Sequence, residues 1–337
     1  MEYPSNAATH ATRRVFAACR SETDADPQIA VLRDIVEARL PALLPLPRDA
    51  NDCVALAVRA AVLSPGKRLR PLLMLAAVRS LRLDPLPFAD VACALELVHA
   101  ASLALDDLPC MDDAVTRRGR PALHRQYGED IAVLAAIALL SLAYRIVAAA
   151  PAVKPSTRAR MVVALADAAG VHGLVHGQLR DLHPATQGTD ASQAVDTNHL
   201  KTGALMGAAF EFAALAADAD SVLAQELNVC AWHVGQAFQL LDDLKDQQLV
   251  PGDGKNPGQD AGKPTLLALL NEPAARVVLA SHLRAVDELL HRTFQGNDCL
   301  PTLVRQMFSA VAECLPVAGA GDRGPKVNAG ANAGHAG

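Results

Sequence analysis

Residues 91–113 read VACALELVHAASLALDDLPCMDD. Up to Leu105 the only acidic or basic side chains are Glu96 and His99, so a helix here is apolar on almost every side. Such a helix has to be enclosed by others. It predicts a large bundle with central members, not a small four-helix bundle with water-facing sides. Working outward, apolar-periodic segments alternate with short Pro/Gly breaks at 54–63, 72–81, 89–105, 131–149, 158–179, 200–217, 221–245 and 274–294. Most exceed ten residues, carry helix formers and lack strand alternation. The expected fold class is all-α, a single large helical bundle of about ten helices over residues 27–318.

Composition narrows the function. Among 337 residues, 51% are hydrophobic and 20% charged, enough to bury a substantial core. A net charge of −5, from 31 Lys+Arg against 36 Asp+Glu, excludes a general nucleic-acid binder. Aromatics at 3%, with one Trp and three Tyr, lean against an all-β fold. The seven cysteines (19, 53, 93, 110, 230, 299, 314) are odd in number, widely spaced and form no CxxC, which fits a reducing cytoplasm and excludes a disulfide framework. The N-terminus has no apolar signal core. The longest apolar run, 131–144, is fourteen residues; it reads as a buried core helix, and no transmembrane segment is expected. Residues 1–26 read as a poorly ordered arm and 319–337 as a disordered Gly/Ala-rich tail.

Two acidic clusters close apolar helices: Asp106-Asp107-Leu108-Pro109-Cys110-Met111-Asp112-Asp113, and Asp242-Asp243-Leu244-Lys245-Asp246 after residues 232–241. Asp242 and Asp246, four apart, share a helical face, with Gln239 three residues before on the same side. Like charges at that spacing repel, so a cation should compensate, and hard oxygen ligands favour Mg²⁺ over zinc. In the first cluster Pro109 breaks the straight projection. Spacing alone leaves Asp112 and Asp113 both open as the partner of Asp106. One such cluster is as well explained by a solvated helix end; two, each closing an apolar helix, are not.

Basic residues match the acids. Ser64-Pro65-Gly66-Lys67-Arg68-Leu69-Arg70-Pro71 is a turn into a helix, with Lys67 and Arg70 able to reach one anion. Arg117-Arg118-Gly119 follows the first cluster, Lys201-Thr202-Gly203 interrupts an apolar helix, and Lys255 and Lys263 lie in a Gly/Pro-rich loop after the second cluster. Singly each is an ordinary surface charge. Jointly they describe a cavity for Mg²⁺-bridged diphosphates inside an apolar bundle.

With these motifs in this order, the chain resembles the trans-isoprenyl diphosphate synthases, the all-helical family that joins C5 isoprenoid units. The resemblance runs from about Pro65 to Leu267 through GKRLRP (66–71), DDLPCMDD (106–113), RRGRP (117–121), GLVHGQLRDL (173–182), KTGAL (201–205), FQLLDDLKD (238–246) and DAGKPTL (260–266). Residues 106–129 are most similar to bacterial geranylgeranyl diphosphate synthases, with two extra residues in the first Asp-rich motif. The resemblance implies central helices around a deep apolar cavity, three Mg²⁺ per site and a homodimer. It implies Asp106, Asp112 and Asp242 as metal ligands, with Asp107, Asp243 and Asp246 supporting. Lys67, Arg70, His99 and Arg118 correspond to an isopentenyl diphosphate site, and Arg117, Lys201, Gln239, Lys255 and Lys263 to an allylic diphosphate site. Thr202 and Gln178 fall where the reaction zone is lined. The chain departs from many relatives after Asp112, where Asp113-Ala114 stands in place of an Asn-Asp-Asp stretch.

The implied activity is Mg²⁺-dependent head-to-tail condensation of isopentenyl diphosphate with dimethylallyl, geranyl or farnesyl diphosphate. Small residues at Ala101 and Ser102, five and four before Asp106, favour a C20 product over C15. A silent regulatory subunit would lose motif acids or bases that this chain keeps, and a terpene cyclase would need neither GKRLRP nor the second acidic motif. His172 and His176 flank glycines without a HExxH pattern and read as packing, as does Cys110.

Overall fold

The computed structural model describes residues 26–183, 191–248 and 266–312, without the side chains of 246–248 and 310–312. Asp246, Lys255, Lys263, the arm up to residue 25 and the tail therefore lie outside what is described. The elements are α1 (Pro27–Leu43), α2 (Cys53–Leu63), α3 (Leu69–Ser80), α4 (Ala89–Asp106), a hairpin of β1 (Thr116–Arg117) and β2 (Arg120–Pro121), α5 (Leu123–Tyr127), α6 (Glu129–Ala149), α7 (Pro155–Ala169) and α8 (Leu174–Leu182). After them come α9 (Ala191–Asn198), a π-turn (His199–Gly203), α10 (Ala204–Ala216), α11 (Ser221–Gln248), α12 (Leu266–Leu270), α13 (Glu272–Thr293) and α14 (Cys299–Ala312). The two-residue strands are the departure from an all-helical reading, and they pair only with each other.

Local signals explain the helix starts. Asp26 caps α1, accepting from the Gln28 amide at 2.7 Å ahead of Pro27, and Asn271 caps α13 ahead of Pro273, accepting from the Ala274 amide at 3.2 Å. Packing then sorts the helices. Twelve of the eighteen residues of α4 are buried and ten of the twelve of α3, so these are the central members that the apolar pattern predicted. The chain closes where α14 returns to the end of α3: the Leu300 amide donates to Ser80 Oγ at 2.9 Å, and Asn297 Nδ2 to the Arg79 carbonyl at 2.8 Å.

The run 131–144 differs from its expectation. It lies within α6, which is 21 residues long and buries only one face, through Ala132, Ala135, Ala136, Leu139, Ala143, Ile146 and Val147. Leu134 and Ile137 on the other side are about half exposed. Two helices, Leu86–Asp106 and Glu129–Ala149, are long and apolar enough to cross a bilayer by length and composition alone; the first is mostly enclosed by protein. Glu129 and Asp130 before the fourteen-residue run, and Arg145 to Ala149 after it, extend the helix to spanning length.

One buried ion-pair cluster fixes the approach to α3. Arg68, 3% exposed and in a left-handed conformation (φ 51°), donates from Nε to Glu37 of α1 at 2.9 Å, and from its two terminal nitrogens to Glu96 of α4 at 3.0 Å and to the Ser64 carbonyl at 2.9 Å. It ties α1, α4 and the GKRLRP turn together. Removing one partner from a buried charge is strongly destabilising because the other is left uncompensated. Glu96→Ala is expected to cost about 3 kcal/mol or more, read as a lower urea midpoint at unchanged slope; an unchanged midpoint would show that Glu37 and Ser64 suffice.

Candidate active site

The first acidic cluster is a compact loop at the end of α4. The helix stops at Asp106, before Pro109, and the chain curls back so that the Asp112 amide donates to the Asp106 carbonyl at 2.9 Å and the Ala114 amide to the Asp107 carbonyl at 3.1 Å. This resolves what spacing left open. Asp112 returns beside Asp106 and acts on its charge, whereas Asp113 takes a left-handed conformation and pairs with Arg125 at 2.9 Å, well exposed. Asp107 is 2% exposed and accepts from Arg117, whose Nε lies 2.8 Å away. Asp106 stays half-buried; burial pushes its carboxyl up to about 6, Lys201 opposes the rise and Asp112 adds to it.

The β1–β2 turn distributes two cations. Arg118 and Gly119 are its central residues, both at positive φ (54° and 74°), as a type I′ hairpin requires. Arg117 meets the acidic loop, while Arg118 faces His99 of α4 at 3.4 Å. Arg118 also lies against Gly66, where a Cβ would come within 2.6 Å of its guanidinium. Arg70 joins this group. Burial, opposed by Glu96 and reinforced by Arg118, pushes it down to about 10, and its Nε is buried with no hydrogen-bond partner among the described residues. Burial, then Arg70 and Arg118, hold His99 well below its usual pKa, so the ring is neutral. Lys67 is exposed on the adjoining loop. Arg70, His99 and Arg118 are thus brought together with more positive charge than carboxylate, since Glu96 is already bound to Arg68.

The second cluster approaches through the π-turn. Thr202 Oγ1 donates to Gln239 Oε1 at 2.8 Å, and Gln239 Nε2 donates to Asp243 at 2.8 Å. Spacing had put Gln239 with Asp242; the hydrogen bond goes one position on, to the i+4 neighbour. The neighbouring Lys201 lies near Asp106 and donates to Asp181 of α8 at 2.5 Å. Five residues with wide-turn bonding therefore connect to both acidic clusters, a role π-helical insertions often serve. Gly177 permits this, since a Cβ there would sit 2.5 Å from the Lys201 amide nitrogen. Gln178 Nε2 reaches Met111 Sδ of the first acidic loop at 3.9 Å.

Other residues fall away from this centre. His172 is exposed and His176 accepts from Arg180 Nε at 3.0 Å, as packing and surface roles require. Cys110 is an exposed free thiol. Ala101 is enclosed with 0% exposure, whereas Ser102, four before Asp106 and on its face, is half-buried. A groove of about 360 Å³ lined by Val31, Ile35, Ala38, Arg39 and Leu86 lies along the outside of α1 and includes none of the site residues. Reading the sequence missed Asp181 and the structural use of Arg68. The only signal for Asp181 was its place in the quoted segment 173–182.

The donor set suits Mg²⁺. Asp106 and Asp112 are hard oxygen donors whose mutual repulsion a cation relieves. Among the described residues no three His, Cys, Asp or Glu side chains are grouped closely enough to hold an ion by themselves. Mg²⁺ is characteristically held by one or two carboxylates together with water and substrate phosphates, a role that Asp106 and Asp112 suit.

Residues 52–294 match the profile of the family described as polyprenyl synthetase. The chain is 45% identical over 269 residues to a geranylgeranyl diphosphate synthase of Pseudescherichia vulneris, covering 79% of this chain and 86% of that one. It is 42% identical over 275 residues to another from Pantoea ananas, covering 81% and 90%. A crystal structure of an FPP/GFPP synthase from Zymomonas mobilis superposes with a TM-score of 0.74 at 32% identity, over 83% of this chain and 97% of that one.

The raised Asp106 carboxyl has a consequence for stability. The folded protein binds this proton more tightly than the unfolded chain, whose carboxyl titrates near 4, so stability falls as pH rises from about 4 to about 6 and the penalty persists above that. Asp106→Asn removes the penalty. In chelator near neutral pH the variant is expected to be more stable than the parent by roughly 2 kcal/mol, the gap closing toward pH 4 in denaturant titrations. A gap that widens on acidification contradicts this.

Proposed function

The chain belongs to the polyprenyl synthetase family, and on that footing we propose that it condenses isopentenyl diphosphate head-to-tail with allylic diphosphates up to all-trans geranylgeranyl diphosphate (C20). It is a prenyltransferase. The observation that carries the reading is the π-turn, where Lys201 acts on the charge of Asp106 and Thr202 is bonded through Gln239 to Asp243, together with the Arg70–His99–Arg118 group.

In this reading Asp106, Asp112 and Asp242 hold Mg²⁺, three ions per site, with Asp107, Asp243 and Asp246 supporting. When bound, the metal neutralises the diphosphate leaving group. Arg117, Lys201, Gln239, Lys255 and Lys263 bind the allylic diphosphate. Lys67, Arg70, His99 and Arg118 bind isopentenyl diphosphate and orient its double bond toward the allylic carbon. The neutral His99 ring takes up space among cations without adding to their repulsion. Apolar helices exclude water from the allylic cation formed on ionisation. The double bond adds to that cation, and the proton then lost passes to the released diphosphate.

The C20 product rests on the named relatives and on the small side chains of Ala101 and Ser102. The half-buried Ser102 supports a tail running along the face of α4 that carries Asp106. We place the enzyme in the cytoplasm as a homodimer. The free, buried Cys93, Cys230 and Cys299 support a reducing compartment, and the exposed Leu134 and Ile137 of α6, with Val163 of α7, support burial against a second copy.

Incubation with isopentenyl diphosphate, each allylic starter and Mg²⁺ is expected to yield C20 product, and chelation to abolish it. Asp106→Ala or Asp242→Ala should lower turnover on the order of 10³-fold; C15 as the end product, or turnover without divalent metal, overturns the reading. Ser102→Phe and Ala101→Phe should shift the product toward C15. Ala101 is enclosed, so its variant also has to displace neighbours and should melt lower. Unchanged chain length in both removes these positions from length control.

A further inference from the structure

The segment GLVHGQLRDL carries, next to its last residue, an acid that the reaction scheme above does not use. Asp181 lies in the last turn of α8, its side chain 17% exposed, and its Oδ2 accepts from Lys201 Nζ at 2.5 Å. One helical turn earlier Gly177 presses on the Lys201 backbone, where a Cβ would come 2.5 Å from its amide nitrogen and 2.7 Å from its Cα. The i, i+4 spacing puts Gly177 and Asp181 on one face of α8. They grip Lys201 at both ends, the glycine at the main chain and the carboxylate at the ammonium. Gln178, next to Gly177 on α8, reaches Met111 of the first acidic loop at 3.9 Å, so the helix that grips Lys201 also abuts the loop that carries Asp106 and Asp112. Lysine carries its charge on a flexible four-carbon stem. Without Asp181 the acidic loop draws it toward Asp106 and Asp112, the same carboxylates that the proposed reaction needs for metal.

We propose that Asp181 is a positioning residue that draws the Lys201 ammonium away from Asp106 and Asp112, leaving that pair open to Mg²⁺ and holding the ammonium at the edge of the allylic diphosphate site. This rests on the prenyltransferase reading above. With Asp181 neutral, Lys201 competes with the metal for Asp106. The demand for Mg²⁺ rises, while the Arg70–His99–Arg118 group, built on α3, α4 and the β1–β2 turn, keeps its arrangement.

The test is binding of an unreactive allylic analogue, farnesyl S-thiolodiphosphate, by calorimetry across a Mg²⁺ series, alongside steady-state kinetics. Asp181→Asn is expected to need about tenfold more Mg²⁺ for half-maximal binding, an energetic coupling within the range of close charge pairs. The KM for isopentenyl diphosphate should stay unchanged, and Asp181→Glu should recover most of the loss. Asp218→Asn, which breaks an exposed surface pair with Lys154, serves as the control without effect. In a Lys201→Ala background Asp181→Asn should add no further shift in Mg²⁺ demand. An Asp181→Asn shift that persists without Lys201, or no shift at all, overturns the proposal. A parent protein that neither binds the analogue with Mg²⁺ nor turns over sinks the prenyltransferase reading, and this proposal with it.

Discussion

A carboxylate half-buried at the end of an apolar helix is held in its charged form only if cations stand close by. Asp106 is that carboxylate, and much of the site can be understood as the response to it. Asp107 beside it is neutralised by Arg117. Asp112 is folded back to it by a main-chain bond and adds a second negative charge. Lys201 arrives from the π-turn with a positive one. The resulting balance leaves Asp106 with a raised proton affinity, which is another way of saying that it would gain from a divalent cation.

Four arginines near one another in sequence or space serve separate physical ends. Arg68 is saturated by Glu37, Glu96 and a carbonyl, and its work is to pin the GKRLRP turn to α1 and α4. Arg70, two residues on, is buried beside Arg118 with an unbonded Nε, a state whose cost an anionic ligand offsets. Arg117 and Arg118 are adjacent yet serve the acidic loop and the His99 group respectively, because a hairpin turn with two positive φ values sends them apart. Charge alone does not distinguish these roles. Saturation by neighbouring carboxylates does.

Much of the fold was legible beforehand. The apolar runs around 72–81 and 89–105 became helices with most of their residues buried, because a helix with no polar face is enclosed by others. The run 131–144 was read as wholly buried and turned out to expose Leu134 and Ile137, since hydrophobicity does not state which neighbour will cover a face. The interruption at Lys201-Thr202-Gly203 was visible as a break, but its seat as a π-turn involves Gly177 and Gly235, which let other helices approach its backbone.

By itself the sequence determined the helical class, the two acidic helix ends and the cationic segments that answer them, because periodicity, breaker residues and charge are local properties of a chain. Tertiary structure alone decided that Asp112 and not Asp113 returns to Asp106, that Gln239 bonds to Asp243, that Arg68 is spent on architecture, and that Asp181 holds Lys201. Each of those outcomes is a choice between neighbours of the same chemistry. Such choices are made by loop curvature and by partners tens of residues away, which spacing along the chain does not encode.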